Sequence, residues 1–250
     1  MPSNILNKFC SDVPAETPLT PEDLRPFGIS ADLAVHYVRA GWLMRLERGV
    51  YCRSGSFPAL EPSLRLLARR LEGLHIGGKS ALHWRGMPDY LATRPRLHLY
   101  GWQASRLPHW FMQRFRAEYH RNRLFEERPA APRDVRPLDV NRSVPLVSAP
   151  ERALLELLSQ VGIRQPLQEA RELVKSAREL RPDVLHDLLK RCTSVKTVRL
   201  CLQLGRETLR PWAAQLDPTQ LPTGSDRPWV SRSPEGLLVL PPRATSRSLT

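Results

Sequence analysis

The chain has 250 residues, and its 38 Lys and Arg against 25 Asp and Glu give a formal net charge of +13 and an isoelectric point near 10.4. This length allows one large domain or two modest ones, and 41% hydrophobic with 25% charged residues is a globular composition, not a disordered one. The aliphatic runs are too short to span a bilayer, and the N-terminus lacks the pattern of a standard secretory signal. We therefore expect a cytoplasmic globular protein without a membrane partner.

The basic excess favours a polyanionic partner such as nucleic acid. Arg supplies 33 of the 38 cationic side chains, which suits phosphate and base contacts, although a GC-rich genome produces the same bias. The excess is uneven, because residues 1–56 hold 6 cations and 6 anions whereas residues 57–140 hold 15 and 8. Bulk charge alone therefore does not identify the binding surface.

The N-terminal segment predicts a short helix over residues 4–10 and then a helix-turn-helix. Thr20 and Pro21 are typical of a helix start, with Asp23 in the place of a capping-box acid. Ser30 can cap a second helix that ends at Gly41. Residues 42–46 and 50–53 are rich in strand-forming side chains. A helix-turn-helix followed directly by a hairpin is typical of a winged helix.

A winged helix inserts its second helix into the major groove of DNA. We expect Leu33, Tyr37 and Val38 to face inward, together with Trp42 and Leu46 of the wing. Arg39 is the best candidate for a base or phosphate contact, and Arg48 for a wing contact. The full candidate DNA-binding set is Ser30, Asp32, His36, Arg39, Arg45, Arg48 and Arg53. Two alternatives stay open: ordinary solvated charges, and a winged helix that binds only protein.

The remainder of the chain predicts a mixed domain with a helical C-terminal half. Helices are expected over 61–72, 80–85, 148–160, 167–178, 183–190 and 195–205, and strands over 74–76, 96–100, parts of 109–115 and 118–125, and within 135–147. Residues 148–151 resemble a capping box. The fold class is thus α+β, with a winged helix-turn-helix over 1–56, an α/β domain over 57–216, and a loosely attached Pro-rich tail over 217–250 with a single strand at 237–240.

Residues 73–80 match the nucleotide-binding pattern G-x-x-x-x-G-K-[ST]. A true P-loop follows a buried strand, whereas the preceding residues predict an amphipathic helix, and Leu74 and Ile76 lie inside the loop. The segment is better explained as a strand, a Gly-Gly turn and a helix start. Nucleotide binding through Lys79 remains the less favoured alternative.

No metal or catalytic pattern is evident. His75 and His83 lie on different predicted elements without a nearby Cys or carboxylate, and the four scattered Cys are typical of reduced buried thiols. Asp134, Asp139 and Lys190 could form a nuclease-like set, but surface salt bridges explain them more simply. A nucleophile-elbow motif is missing. We expect no metal, no cofactor and no catalytic residue.

Three blocks of the sequence together resemble a known family. Residues 29–43 and 48–51 resemble the N-terminal winged helix of AbiEi antitoxins of type IV toxin–antitoxin systems. Residues 77–86 and 147–158 resemble the Gly-rich turn and the strand-to-helix block of that family, so the resemblance covers about residues 1–210. The Pro-rich tail departs from the family pattern.

The resemblance implies a bifunctional protein. Its N-terminal domain would bind inverted repeats in double-stranded DNA of its own promoter, with paired protomers, and repress the operon. Its C-terminal domain would neutralise a co-encoded nucleotidyltransferase-like toxin. The alternatives are a plain transcriptional regulator with a ligand-sensing C-terminal domain, and a nucleic-acid or nucleotide-processing enzyme that the winged helix targets.

Overall fold

The computed structural model describes residues 2–87, 96–121, 123–125, 134–138, 145–233 and 236–242, and the fold is α+β, as predicted. The described residues form eleven α-helices: α1 Pro2–Asp12, α2 Pro21–Leu24, α3 Ala31–Arg39, α4 Leu60–Ala68, α5 Gly78–Trp84, α6 His109–Phe115, α7 Pro150–Ser159, α8 Leu167–Ser176, α9 Pro182–Lys190, α10 Val195–Glu207 and α11 Pro211–Ala214. They also form nine strands: β1 Leu43–Glu47, β2 Val50–Arg53, β3 His75–Ile76, β4 Leu97–Gly101, β5 Ala117–Arg121, β6 Val135–Pro137, β7 Leu146–Ser148, β8 Trp229–Ser233 and β9 Gly236–Leu240. None of the helices in these segments has the length and apolar character needed to cross a bilayer.

The N-terminal unit has the predicted order of helix, turn, helix and hairpin. Its helix starts follow the local signals. Thr20 Oγ1 accepts a hydrogen bond from the backbone N–H of Asp23, whose carboxylate accepts from the backbone N–H of Thr20 at 2.9 Å. A short 3₁₀ helix then ends at Gly28, which has a φ of 72°. Ser30 Oγ accepts from the backbone N–H of Leu33 at 3.2 Å and caps α3.

The N-terminal unit also has a hydrophobic core of its own. β1 pairs with β2 in antiparallel fashion, and Leu19 forms an antiparallel bridge with Tyr51 at the edge of this hairpin. The core comprises Phe9, Val13, Leu19, Leu24, Ile29, Ala34, Tyr37, Leu43 and Tyr51. Val50 of the hairpin instead belongs to the larger core of the chain. The hairpin therefore joins the small unit to the rest of the molecule.

The larger unit is built on a five-stranded mixed sheet with the order β5-β4-β3-β7-β6. β4 is parallel to β5 and antiparallel to β3, whereas β3 is parallel to β7 and β7 antiparallel to β6. Helix α7 is buried along almost its whole length, and α5, α9 and α10 pack against it. The helical spans predicted between residues 61 and 205 are confirmed to within a few residues at their ends.

Two local predictions are wrong. Residues 109–115 form helix α6, because Pro108 precedes a helix in which Trp110, Phe111 and Phe115 gather on one side. The capping box predicted at 148–151 is absent. The Ser148 hydroxyl bonds to Glu156 instead, at 2.9 Å, and the helix begins after Ala149 without a side-chain cap.

The C-terminal segment packs more firmly than the expected loose tail with one strand. β8 and β9 form an antiparallel hairpin, and Leu238 and Leu240 are buried in the larger core. Arg199 of α10 is 5% exposed, and its guanidinium donates to the carbonyls of Thr223 at 2.7 Å and Arg227 at 2.8 Å. The segment is thus attached to α10 up to residue 242. The last eight residues lie outside the described part of the chain.

The cysteines agree with the expectation of buried thiols. Cys52, Cys192 and Cys201 are buried and Cys10 is half-buried, all of them as free cysteines. Burial raises the pKa of Cys192 to about 11. Burial also raises the pKa of the Cys52 and Cys201 thiols, so these three buried thiols stay protonated at neutral pH, as expected of core side chains.

Candidate nucleic-acid interface

Helix α3 presents a polar outer face. Asp32, His36 and Arg39 are exposed, whereas Ala34 and Tyr37 are buried in the small core. The exposed cap residue Ser30 lies at the start of the same helix. The outward positions agree with the 3.6-residue period from which they were predicted.

The hairpin carries two exposed arginines next to this helix. Arg48 lies at the turn between β1 and β2, where Gly49 has a φ of 73°, and Arg45 lies on β1. Arg45 Nε donates to the carbonyl of Glu47 at 3.3 Å, which keeps its guanidinium close to the turn. Neither Arg39 nor Arg48 forms an ion pair within the described part of the chain. Both are therefore free to contact an external anion.

Arg53 has a different environment from the other candidates. Its Nη1 donates to the carbonyls of Cys10 at 3.1 Å and Val13 at 3.4 Å. These carbonyls end helix α1, and the side chain is half-buried there. The Arg53 guanidinium therefore joins β2 to the end of α1 within the N-terminal unit.

Trp42 does not face inward as expected. It is 56% exposed, because Leu43 is the residue of β1 that enters the core and neighbouring strand residues point to opposite faces. Val35 on α3 is also exposed, at 41%. The surface formed by α3 and the hairpin therefore combines arginines with apolar side chains. The alternation of strand residues starting at Leu43 was the sequence signal that could have predicted the exposure of Trp42.

The P-loop-like segment binds a carboxylate of the chain itself. At the start of α5, the backbone N–H of Gly78 donates to Glu156 Oε2 at 3.2 Å. The Tyr100 ring lies against Gly77 and Gly78, where a Cβ atom would collide with it. Lys79 pairs with Glu169 at 2.7 Å. The position that a phosphate would take in a P-loop is held by Glu156, so the geometry favours the interpretation as a strand, turn and helix start.

Glu156 is the centre of a buried polar network. It accepts from His75 Nε2 at 2.8 Å and from Arg152 Nε at 2.8 Å. Burial opposes ionisation of this carboxyl, but His75 and Arg152 together lower its pKa to about 2. Arg152 also binds Asp134 at 2.7 Å, so Asp134 is a salt-bridge partner, but the pair is buried and not on the surface as predicted. Such a network specifies how α7, β3 and β7 pack.

Among the described residues, the remaining polar candidates of the sequence are not brought together. Lys190 is exposed on α9, and Asp139 lies outside the described residues. His83 is exposed on α5 and His75 is buried against Glu156. Sequence reasoning missed a different group, His98, Glu118 and His120, which β4 and β5 bring close together. The i, i+2 spacing of Glu118 and His120 within one predicted strand was the only sequence signal for it.

Two family models match consecutive parts of the chain. Residues 3–93 match the model of the AbiEi antitoxin N-terminal domain, described as a transcriptional regulator. Residues 94–240 match the model of the AbiEi antitoxin, a transcriptional regulator of type IV toxin–antitoxin systems. No curated protein matches the chain.

One solved structure is similar over most of its length. The crystal structure of the RV2827C protein from Mycobacterium tuberculosis has a TM-score of 0.59 and 18% sequence identity, and the alignment covers 92% of this chain and 88% of that chain. At this identity the likeness concerns the fold alone.

Proposed function

We propose that this chain, which belongs to the AbiEi antitoxin family of transcriptional regulators from type IV toxin–antitoxin systems, represses its own operon by binding inverted repeats in the promoter. In this proposal the N-terminal unit, residues 1–56, is a winged helix-turn-helix. Helix α3 enters the major groove and the β1–β2 hairpin lies along the phosphate backbone. Two protomers bind one operator, because the symmetry of an inverted repeat matches that of a protein pair. Because the promoter is the proposed binding site, we also propose that the protein acts in the cytoplasm.

The observation that carries the proposal is the pair of exposed, internally unpaired arginines on neighbouring elements. Arg39 projects from the groove-facing helix and Arg48 from the tip of the hairpin. A guanidinium donates in a fixed fork that fits guanine edges and phosphate oxygens. Ser30, Asp32, His36 and Arg45 complete the proposed contact surface. Arg53 supports it indirectly, by fixing the hairpin to α1.

The separate core of the N-terminal unit supports the assignment of DNA binding and antitoxin activity to different units of the chain. We assign antitoxin activity to the larger unit, residues 57–216, together with the C-terminal segment, residues 217–250, whose described part packs against α10. Its partner is a co-encoded nucleotidyltransferase-like toxin. We assign no catalytic residue, because the P-loop-like turn is filled by Glu156.

The two activities can be separated without deleting any part of the chain. Full-length wild type, Arg39→Ala and Arg48→Ala would each be co-expressed with the adjacent gene, and growth would be measured beside repression of a promoter reporter. We expect both variants to rescue growth but to lose repression. Arg178→Ala is the matched control, because it removes an exposed arginine from the larger unit. Loss of rescue in both variants would contradict the division, and an adjacent gene without toxicity would favour the plain transcriptional regulator.

A further inference from the structure

Two parallel strands bring His98, Glu118 and His120 onto one face at the edge of the sheet. In the pairing of β4 with β5, His98 is opposite Glu118 and Tyr100 is opposite His120. Because strand residues two apart point to the same face, all four side chains share it. β5 is an edge strand, so these side chains lie near one edge of the sheet.

The potential ligand atoms are already close together. A hydrogen bond of 2.9 Å joins His98 Nδ1 and His120 Nε2, and a bound metal ion would replace it. Each of the three residues offers one nitrogen or carboxylate oxygen within 4.8 Å of the others. The position of His98 is fixed by its backbone, since its N–H donates to Ser80 Oγ at 2.8 Å. Little movement is needed to place three donors around one ion.

The neighbours of the three residues affect how they could bind a metal. His120 is 4% exposed, and its Nδ1 is buried without a hydrogen-bond partner among the described residues. This imidazole therefore lacks the acceptor that commonly orients a metal-binding His. The amide of Gln160 lies close enough to affect the same imidazole. Arg164 Nη1 holds Glu118 Oε1 at 3.0 Å, which orients the carboxylate.

We propose that His98, Glu118 and His120 bind a divalent metal ion of the zinc class. Two imidazole nitrogens and one carboxylate oxygen are a common zinc donor set, and three protein ligands leave a fourth position open. Lys79, Gln160 and Arg164 line a small cavity beside the two imidazoles. The cationic groups of Lys79 and Arg164 favour water or a small anion as the fourth ligand. The site is independent of the DNA contacts of the N-terminal unit.

Metal binding can be measured directly on the full-length protein. Protein stripped with a chelator would be titrated with Zn²⁺ by calorimetry, and with Co²⁺ by visible absorption. We expect one site per chain and a Co²⁺ spectrum that Zn²⁺ abolishes. His98→Gln and Glu118→Gln should each weaken Zn²⁺ binding by more than about tenfold. His83→Gln is the matched control, because it removes an exposed His from α5.

A second readout separates lost binding from lost folding. Zn²⁺ should raise the Tm of wild type and of His83→Gln, because a ligand that binds only the native state stabilises it. The Tm of His98→Gln should not change with Zn²⁺, although its circular dichroism matches that of wild type. Absence of Zn²⁺ binding in wild type, or equal affinity in wild type and His98→Gln, would overturn the proposal.

Discussion

At the scale of single residues, Arg39 tests whether α3 reads bases. It is exposed in the last turn of the helix and has no ion-pair partner among the described residues. Arg39→Ala should weaken operator binding by about 1–3 kcal/mol and reduce the preference for operator over random DNA. Fluorescence anisotropy with both DNA sequences would measure this. An equal loss on the two sequences would show that Arg39 contacts only phosphate.

Arg48 tests whether the turn of the β1–β2 hairpin contacts phosphate. Phosphate contacts release counterions, so removing one makes the dependence of log K on log salt less steep. Arg48→Ala should weaken binding to operator and random DNA alike, and reduce the salt slope by about 1. Salt titrations of wild type, Arg48→Ala and the control Arg178→Ala would be compared. A slope equal to that of wild type would exclude a phosphate contact at the hairpin turn.

At the scale of single elements, the capping box at Thr20 stabilises the start of α2. Its Asp23 also accepts from Arg69 Nη1 at 2.7 Å and so joins α2 to the region after α4. Thr20→Ala should destabilise the N-terminal unit by about 1 kcal/mol, because an N–H at the helix start loses its acceptor. Thr20→Ser should be close to wild type. Amide hydrogen exchange in residues 20–40, measured at increasing denaturant concentration, would give the stability of both variants. Thr17→Ala is the control. Equal protection of these amides in all variants would contradict the stabilising role of the Thr20 cap.

Elements defined by local rules were predictable, and those that depend on distant partners were not. Thr20 and Ser30 cap the helices that the sequence assigns to them. Ser148 has the same local signal, but its hydroxyl binds Glu156, a partner that exists only once α7 packs on the sheet. Likewise, the pairing of β8 with β9 depends on burial against α10, which the Pro-rich composition of residues 217–250 does not reveal.

At the scale of the whole molecule, the same difference between local rules and distant partners separates the α3 surface from the proposed metal site. The exposed face of α3 follows from helical periodicity alone, so Asp32, His36 and Arg39 could be selected from the sequence. The proposed metal site needs β4 and β5 to pair in parallel across helix α6. That pairing is non-local, and residues 109–115 were themselves assigned to strand. The spacing of His98 and His120 therefore carried no information until the sheet was known.

The buried Glu156 network makes the stability of the whole molecule depend on pH. The carboxyl has a pKa of about 2 in the fold, against an ordinary value of 4.5. As the pH falls below about 5, the unfolded chain takes up a proton that the native chain does not, so stability decreases until the pH reaches about 2. This carboxyl should contribute on the order of 3 kcal/mol at neutral pH, all of it lost across that window.

The test compares unfolding free energies of wild type and Glu156→Gln across the same pH range. The variant should be less stable at neutral pH by about 3–5 kcal/mol, because Arg152 loses a buried counterion and His75 loses a buried hydrogen-bond partner. Its stability should fall less steeply between about pH 5 and pH 2. Glu169→Gln, which removes the half-buried partner of Lys79, is the control and should keep the steep decrease. Parallel curves for wild type and Glu156→Gln would mean that Glu156 is not the group whose protonation destabilises the fold in acid.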